Sequence, residues 1–156
     1  MHIDACVLSR MNALSRTASG EGEYTMLVVK SGAVPKFIQL FSSASKEVRE
    51  QVLWAMGNIA GDGPRLRDMC IDLGLVEAVT GMMQADSSLS LLRTATWTLA
   101  NLCRGRPAPD FVRVTPIIPY IAQLINHDDE QVCVFVRCFI RVVPMCNELC
   151  IDVDTD

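Results

Sequence analysis

Apolar positions along the chain recur at helical rather than strand spacing. Phe37, Ile38, Leu40 and Phe41 form one apolar stripe, and Val48, Val52 and Met56 form another at four-residue steps. No run alternates apolar and polar residues as a half-buried strand would. Breakers separate the periodic stretches. Gly61-Asp62-Gly63 and Gly105 stand where helices stop, and Pro64, Pro107, Pro109 and Pro116 stand where turns and new helices begin. Asp128-Asp129-Glu130 makes an acidic first turn ahead of the apolar stretch 132–143, a placement favoured by the helix dipole.

The helical segments also repeat. Trp54-Ala55-Met56-Gly57-Asn58 is matched 43 residues later by Trp97-Thr98-Leu99-Ala100-Asn101. Gly32-Ala33-Val34 at the head of one unit is matched 42 residues later by Gly74-Leu75-Val76, and after another 42 the segment starting at Pro116 follows. A period of 42–43 with two or three helices per unit predicts an all-α solenoid of the armadillo or HEAT kind. A compact helical bundle is the alternative, but it has no need for the same Trp-Asn pair at the same place in successive units.

Trp and Asn at i and i+4 share one helix face. Stacked repeats set equivalent helices about 8–10 Å apart, and an extended peptide advances about 3.3 Å per residue. A ladder of indoles beside a ladder of amides therefore suits an extended peptide. An amide can hold the peptide backbone whatever its side chains, and two indole walls form a slot for the alkyl stem of Lys or Arg. The cation adds about 0.5–2 kcal/mol over an aromatic face. Asp62, two turns beyond Trp54, is the candidate carboxylate that selects positive charge. Gln51, three residues before Trp54, is a candidate hydrogen-bonding group on the same face.

Composition narrows the function. Half of the 156 residues are hydrophobic and 21% are charged, so the chain has a core to bury and is not a disordered segment. The net charge of −4 speaks against a nucleic-acid partner, which needs cationic contacts to phosphates, and for a basic one. The seven cysteines include no C-x-x-C pair and fit no common zinc spacing. They predict reduced, partly core-filling thiols in an intracellular protein. The stretch 132–143 is broken by Arg137 and Arg141 and is too short to span a membrane, and 1–11 lacks the apolar run of a signal peptide. The two histidines, His2 and His127, sit in no catalytic motif, and no phosphate loop, dinucleotide fingerprint or nucleophile elbow occurs. Neither an enzyme nor a bound cofactor or metal is expected.

The strings Ser31-Gly-Ala-Val-Pro-Lys-Phe-Ile, Val48-Arg-Glu-Gln-Val-Leu-Trp54-Ala-Met-Gly-Asn58-Ile-Ala-Gly-Asp62 and Trp97-Thr-Leu-Ala-Asn101-Leu-Cys-Arg-Gly105 closely resemble the importin alpha (karyopherin alpha) family. The resemblance runs over about residues 13 to 137. It implies an armadillo-repeat right-handed superhelical solenoid of three-helix repeats, whose inner groove takes Lys/Arg-rich nuclear localisation signals for import into the nucleus. It also implies that Trp54, Asn58, Trp97 and Asn101 fall on the major peptide-binding site, with Gln51 and Asp62 as its lysine-selecting residues and Thr25 as a further contact. The expected partners are proteins bearing such signals, in cytoplasm and nucleus, with neither nucleic acid nor membrane.

Departures from the family pattern shape the expected organisation. Residues 1–30 form a divergent partial repeat, 31–73 and 74–115 two full repeats, 116–143 a divergent partial repeat and 144–156 an acidic tail. The register puts Asn12 and Arg16 at the preceding Trp-Asn positions and Arg137 and Arg141 at the following ones, and Thr94 replaces an Asn usual in the family. Arg104 and Arg106 stand where they could repel a basic ligand unless they point away from the groove. Importin beta is a partner in the family, but the basic segment that binds it is not found here. The expectation is a truncated or divergent member, with a non-transporting scaffold or remnant that binds another protein through its flanks as the alternative.

Overall fold

The computed structural model describes residues 22–85 and 88–142, with side chains from 25 to 140. Asn12, Arg16, the N-terminal segment up to residue 21, the tail 144–156 and the side chain of Arg141 lie outside the described residues. The described residues form α-helices and one short 3-10 helix, with no strand among them.

Helices follow one another in threes. The first group is α1 (Gly22–Lys30), α2 (Ala33–Leu40) and α3 (Lys46–Gly61). The second is α4 (Pro64–Asp72), α5 (Leu75–Ala85) and α6 (Leu89–Cys103). The third is α7 (Phe111–Val114), continued by the 3-10 turn Thr115–Ile117, then α8 (Ile118–Leu124) and α9 (Glu130–Val142). Units counted from Gly32 or Gly74 also hold three helices each, beginning one helix later in the same array.

Local chemistry sets these boundaries. Gly32 (φ 73°) and Gly74 (φ 83°) take left-handed conformations that side chains rarely adopt, and so turn the first helix of a unit sharply into the second. The equivalent position in the third unit is Pro116, whose ring holds φ near −65°. There the chain bends through the 3-10 turn instead. Ser45 caps α3 by accepting from the Val48 N–H at 3.3 Å, and Asp110 caps α7 by accepting from the Val112 N–H at 3.0 Å. Pro64 occupies the first turn of α4, where its missing N–H costs nothing.

The long third helices form one layer: α3 packs along α6, and α6 along α9. Each buries one face. Val48, Val52, Leu53, Met56 and Ile59 on α3 are fully buried, as are Leu91, Ala95, Leu99 and Leu102 on α6. No unit can cover this face alone, so each unit's core is completed by its neighbour. Cys70 and Cys103 are core side chains as their apolar surroundings in the sequence suggest, and burial pushes the Cys70 thiol up to about 12. Among the described residues no helix is long and apolar enough to cross a membrane, and no group of His, Cys, Asp or Glu is placed to hold a metal.

Polar contacts join equivalent elements across the repeat. Lys46 Nζ donates to Ser88 Oγ at 2.9 Å, linking the starts of α3 and α6. Arg93 on α6 donates to Asp129 before α9 through Nη2 at 2.5 Å and Nε at 3.1 Å. Asp129 also caps α9, accepting from the Val132 N–H at 3.1 Å. The hydrogen bond from Arg93 holds the Asp129 carboxyl at about 2, well below the ordinary carboxylate value of about 3.9. A carboxylate with a depressed folded-state pKa contributes stability above its unfolded value, lost as pH falls through the folded one. Melting temperature should therefore drop more steeply between about pH 4 and pH 2 in the parent than in Asp129→Asn, which keeps a capping oxygen and loses the charge. Circular dichroism melts of the two chains should converge near pH 2. Parallel curves would assign the pair no part in acid sensitivity.

Candidate peptide-binding face

Register in the third helices follows their caps. The residues preceding α3, α6 and α9 are Ser45, Ser88 and Asp129, and three residues on stand the buried Val48, Leu91 and Val132. Counting on from these caps places Trp54, Trp97 and Cys138 at one equivalent position, and Asn58, Asn101 and Val142 at the next turn. This corrects the expectation that Arg137 follows Trp97 in the series. Arg137 lies one residue earlier and is exposed.

Trp54 and Trp97 are both half-buried, at matching places on two helices that pack side by side. Neither indole is swallowed by the core. Trp97 lies against α3 at Gly57, where a Cβ would overlap ring atom Cζ3 and come 2.7 Å from Thr98 Oγ1. Only a glycine leaves room for that ring.

The two asparagines differ. Asn58 is half-buried, whereas Asn101 is 3% exposed and its Nδ2 donates to the Gly57 carbonyl at 3.1 Å. Asn101 therefore joins the second unit to the first, a role that spacing along the sequence does not reveal. Gln51 is half-buried, and among the described residues its Oε1 is buried without a hydrogen-bond partner. A buried acceptor left in that state favours an incoming donor. Asp62 is exposed at the C-terminal cap of α3. Thr25, matched less securely to the groove, is completely buried on α1 and presents nothing to a ligand.

Arg104 donates from Nη2 to the Gly61 carbonyl at 3.3 Å, which ties its guanidinium to the end of α3 beside Asp62. The loop that carries it is held from below by Arg67. That guanidinium is fully buried, donating from Nε to Asp68 Oδ1 at 2.8 Å and from Nη1 to the Arg104 carbonyl at 3.0 Å. Its Nη2 lies 2.8 Å from the same Asp68 oxygen, without hydrogen-bond alignment. Thr94, in place of the family's Asn, turns its hydroxyl back to the Ser90 carbonyl at 3.2 Å.

Three helices per unit, an unbroken layer of third helices and matching aromatic positions on that layer define an armadillo solenoid. The Armadillo/beta-catenin-like repeat model matches residues 23–61 and 63–104, and the chain belongs to that family. Within it, the sequence is similar to importin alpha subunits. It is 48% identical to importin subunit alpha-2 of Arabidopsis thaliana over 120 residues, 77% of this chain and 22% of that protein. It is 47% identical to importin subunit alpha-1b of Oryza sativa subsp. japonica over the same length, again 77% and 22%. The chain thus spans about a fifth of the length of these curated relatives. Among solved structures it resembles a designed armadillo repeat protein in complex with peptide (KR)4, with a TM-score of 0.78 at 21% identity, over 90% of this chain and 59% of that one. That likeness shows the fold.

The contrast between Asn101 and Asp62 is measurable without a ligand. Asn101→Leu should lower unfolding stability by about 0.5–1.5 kcal/mol, the net worth of the hydrogen bond its amide gives the Gly57 carbonyl. Asp62→Asn, at an exposed cap, should stay within about 0.5 kcal/mol of the parent. Urea titrations followed by circular dichroism provide the check, and equal losses would contradict the stapling role of Asn101.

Proposed function

We propose that this chain binds Lys/Arg-rich peptides of the nuclear localisation type, in extended form, across Trp54 and Trp97. Gln51, Asn58 and Asp62 complete the face, and Asn101, buried against the Gly57 carbonyl, supports it from behind. The observation that carries the reading is the pair of half-buried indoles at equivalent positions of the packed helices α3 and α6. A half-buried indole has a fixed orientation and an open face, which is what the stem of a lysine needs. The exposed Asp62 carboxylate supplies the charge preference, and the unpartnered Gln51 Oε1 offers an acceptor for the ammonium or a peptide N–H.

Two likenesses support this. The similar full-length proteins are importin alpha subunits, and the similar designed solenoid was solved with a peptide of alternating Lys and Arg. The reading makes the chain an adaptor rather than an enzyme, working between cytoplasm and nucleus, with signal-bearing proteins as partners. Recruitment of importin beta belongs to the same proposal at the level of the whole relatives, and this chain's own face serves the cargo side.

A second reading, a scaffold that docks another protein through its flank, is favoured by one observation. Ile125 is 48% exposed, and Val134 on α9 is 47% exposed. Fluorescence anisotropy with a lysine-rich octapeptide and a scrambled neutral control separates the two. Trp54→Ala and Asn58→Ala should each weaken the basic peptide by about 1–3 kcal/mol, roughly 10- to 100-fold, and added salt should weaken it further by screening Asp62. If the parent does not distinguish the basic peptide from the control, the flank reading replaces the groove reading.

A further inference from the structure

The contact between α3 and α6 holds a pattern that no single residue's role explains. Two carbonyls of α3, four residues apart, accept from side chains of α6 and its C-cap that are three residues apart. Asn101 Nδ2 donates to the Gly57 carbonyl at 3.1 Å and Arg104 Nη2 to the Gly61 carbonyl at 3.3 Å. One turn earlier Thr98 Oγ1, which donates to the Thr94 carbonyl of its own helix at 2.8 Å, packs 3.4 Å from the Leu53 carbonyl. Both acceptors are glycines. A Cβ on Gly57 would overlap Trp97 and Thr98, and one on Gly61 would come 3.1 Å from Asn101 Nδ2. The close approach of the two helices therefore depends on missing side chains on α3 and on donors at fixed intervals along α6.

Steps of four on one helix and three on the other let two neighbouring helices keep in contact over more than two turns. Side-chain donors that reach a neighbour's backbone define distance and axial register together, because a slide of one helix along the other breaks both hydrogen bonds. Trp54 lies three residues before the first of these carbonyls, Gly57, and Trp97 four residues before the first donor, Asn101. Their relative positions are thus tied to the ladder.

Among the described residues no such ladder joins α6 to α9. The residues equivalent to Thr98 and Asn101 there are Phe139 and Val142, which carry no donor, and that junction uses the Arg93–Asp129 pair instead.

We propose that Gly57 and Gly61, with Thr98, Asn101 and Arg104, form a spacer that sets the distance and register between the Trp54 and Trp97 slots. They are positioning residues for a peptide long enough to occupy both. This rests on the peptide reading above and deepens it, since it assigns selectivity for length and spacing of cationic residues to groups that need not touch them. Neighbouring slots about 8–10 Å apart suit cationic side chains about three residues apart on an extended strand.

Peptides of two lengths test it. A capped tri-lysine fills one slot, and a lysine-rich octapeptide spans two. In an unconstrained helix interior a Gly→Ala change is stabilising by up to about 1 kcal/mol, so a loss in Gly57→Ala comes from the neighbouring helix and not from α3 itself. Gly57→Ala should weaken the octapeptide at least 10-fold and alter tri-lysine affinity less than 2-fold. In a Trp54→Phe background the same change should shift the emission of Trp97. Gly61→Ala, with its milder overlap, should weaken the octapeptide about 3-fold and keeps the test open if Gly57→Ala fails to fold. Equal weakening of both peptides, or no change in octapeptide affinity in a folded variant, overturns the spacer while leaving peptide binding intact. If the parent binds neither peptide, the peptide reading itself falls, and the spacer with it.

Discussion

Everything on the candidate face depends on how closely α6 can lie against α3. At Gly57 the backbone of α3 is bare, and the Trp97 indole occupies the space that a methyl group would take. That contact brings the Asn101 amide within 3.1 Å of the Gly57 carbonyl and the Arg104 guanidinium within 3.3 Å of the Gly61 carbonyl. A hydrogen bond of this kind adds only about 0.5–1.5 kcal/mol net. The geometry is thus set as much by the close fit of the Trp97 ring over Gly57 as by the hydrogen bonds. Two long helices from different units behave as one surface in consequence.

Much of this architecture was legible in the residues. The period of 42–43 shows because the same small set of constraints returns in each unit: a left-handed glycine between first and second helices, an apolar stripe, then Trp and Asn one turn apart. Helix starts at Ser45 and Pro64 were also readable, since capping and proline chemistry act over a few residues. The third unit was harder. Its cap is Asp129 rather than Ser and Pro116 stands in place of its turn glycine, so no shared residue anchors the register, and the cap rather than the repeat length places Cys138, not Arg137, opposite Trp97. Periodicity registers a helix face well and a single residue within it poorly, because one position is only about 100° of rotation.

The engagement of Asn101 was not legible at all. Asn58 and Asn101 are the same residue type at the same place in the repeat, yet one is half-buried and the other is buried against a neighbouring carbonyl. The burial of Asn101 against the preceding unit is a tertiary fact with no local signature. The same holds for the buried Arg67, whose pairing with the Arg104 carbonyl joins residues on two different helices' ends. Thr25 illustrates the converse: a match to a family position carries a residue type across, but burial decides whether that residue meets a ligand.

Half-burial of the two indoles is the property on which the proposed recognition surface rests. A fully buried Trp contributes only to the core, and a fully exposed one has no preferred orientation against which a ligand stem could pack. Trp97 is oriented by its contact with Gly57, and its remaining face is oriented with it. The charges around the slots divide in the same way. Arg104 is tied to the backbone at the end of α3, so the cation that composition alone would set against a basic ligand is engaged in holding the wall. Asp62, next in sequence to the carbonyl that Arg104 holds, keeps an exposed carboxylate. Under the proposed reading, a positive side chain arriving at the indoles meets the exposed Asp62 carboxylate, while the Arg104 guanidinium, still charged, is held at the end of α3 by a carbonyl. The proposed preference for a cationic strand therefore rests on the position of Asp62 more than on the net charge of the chain.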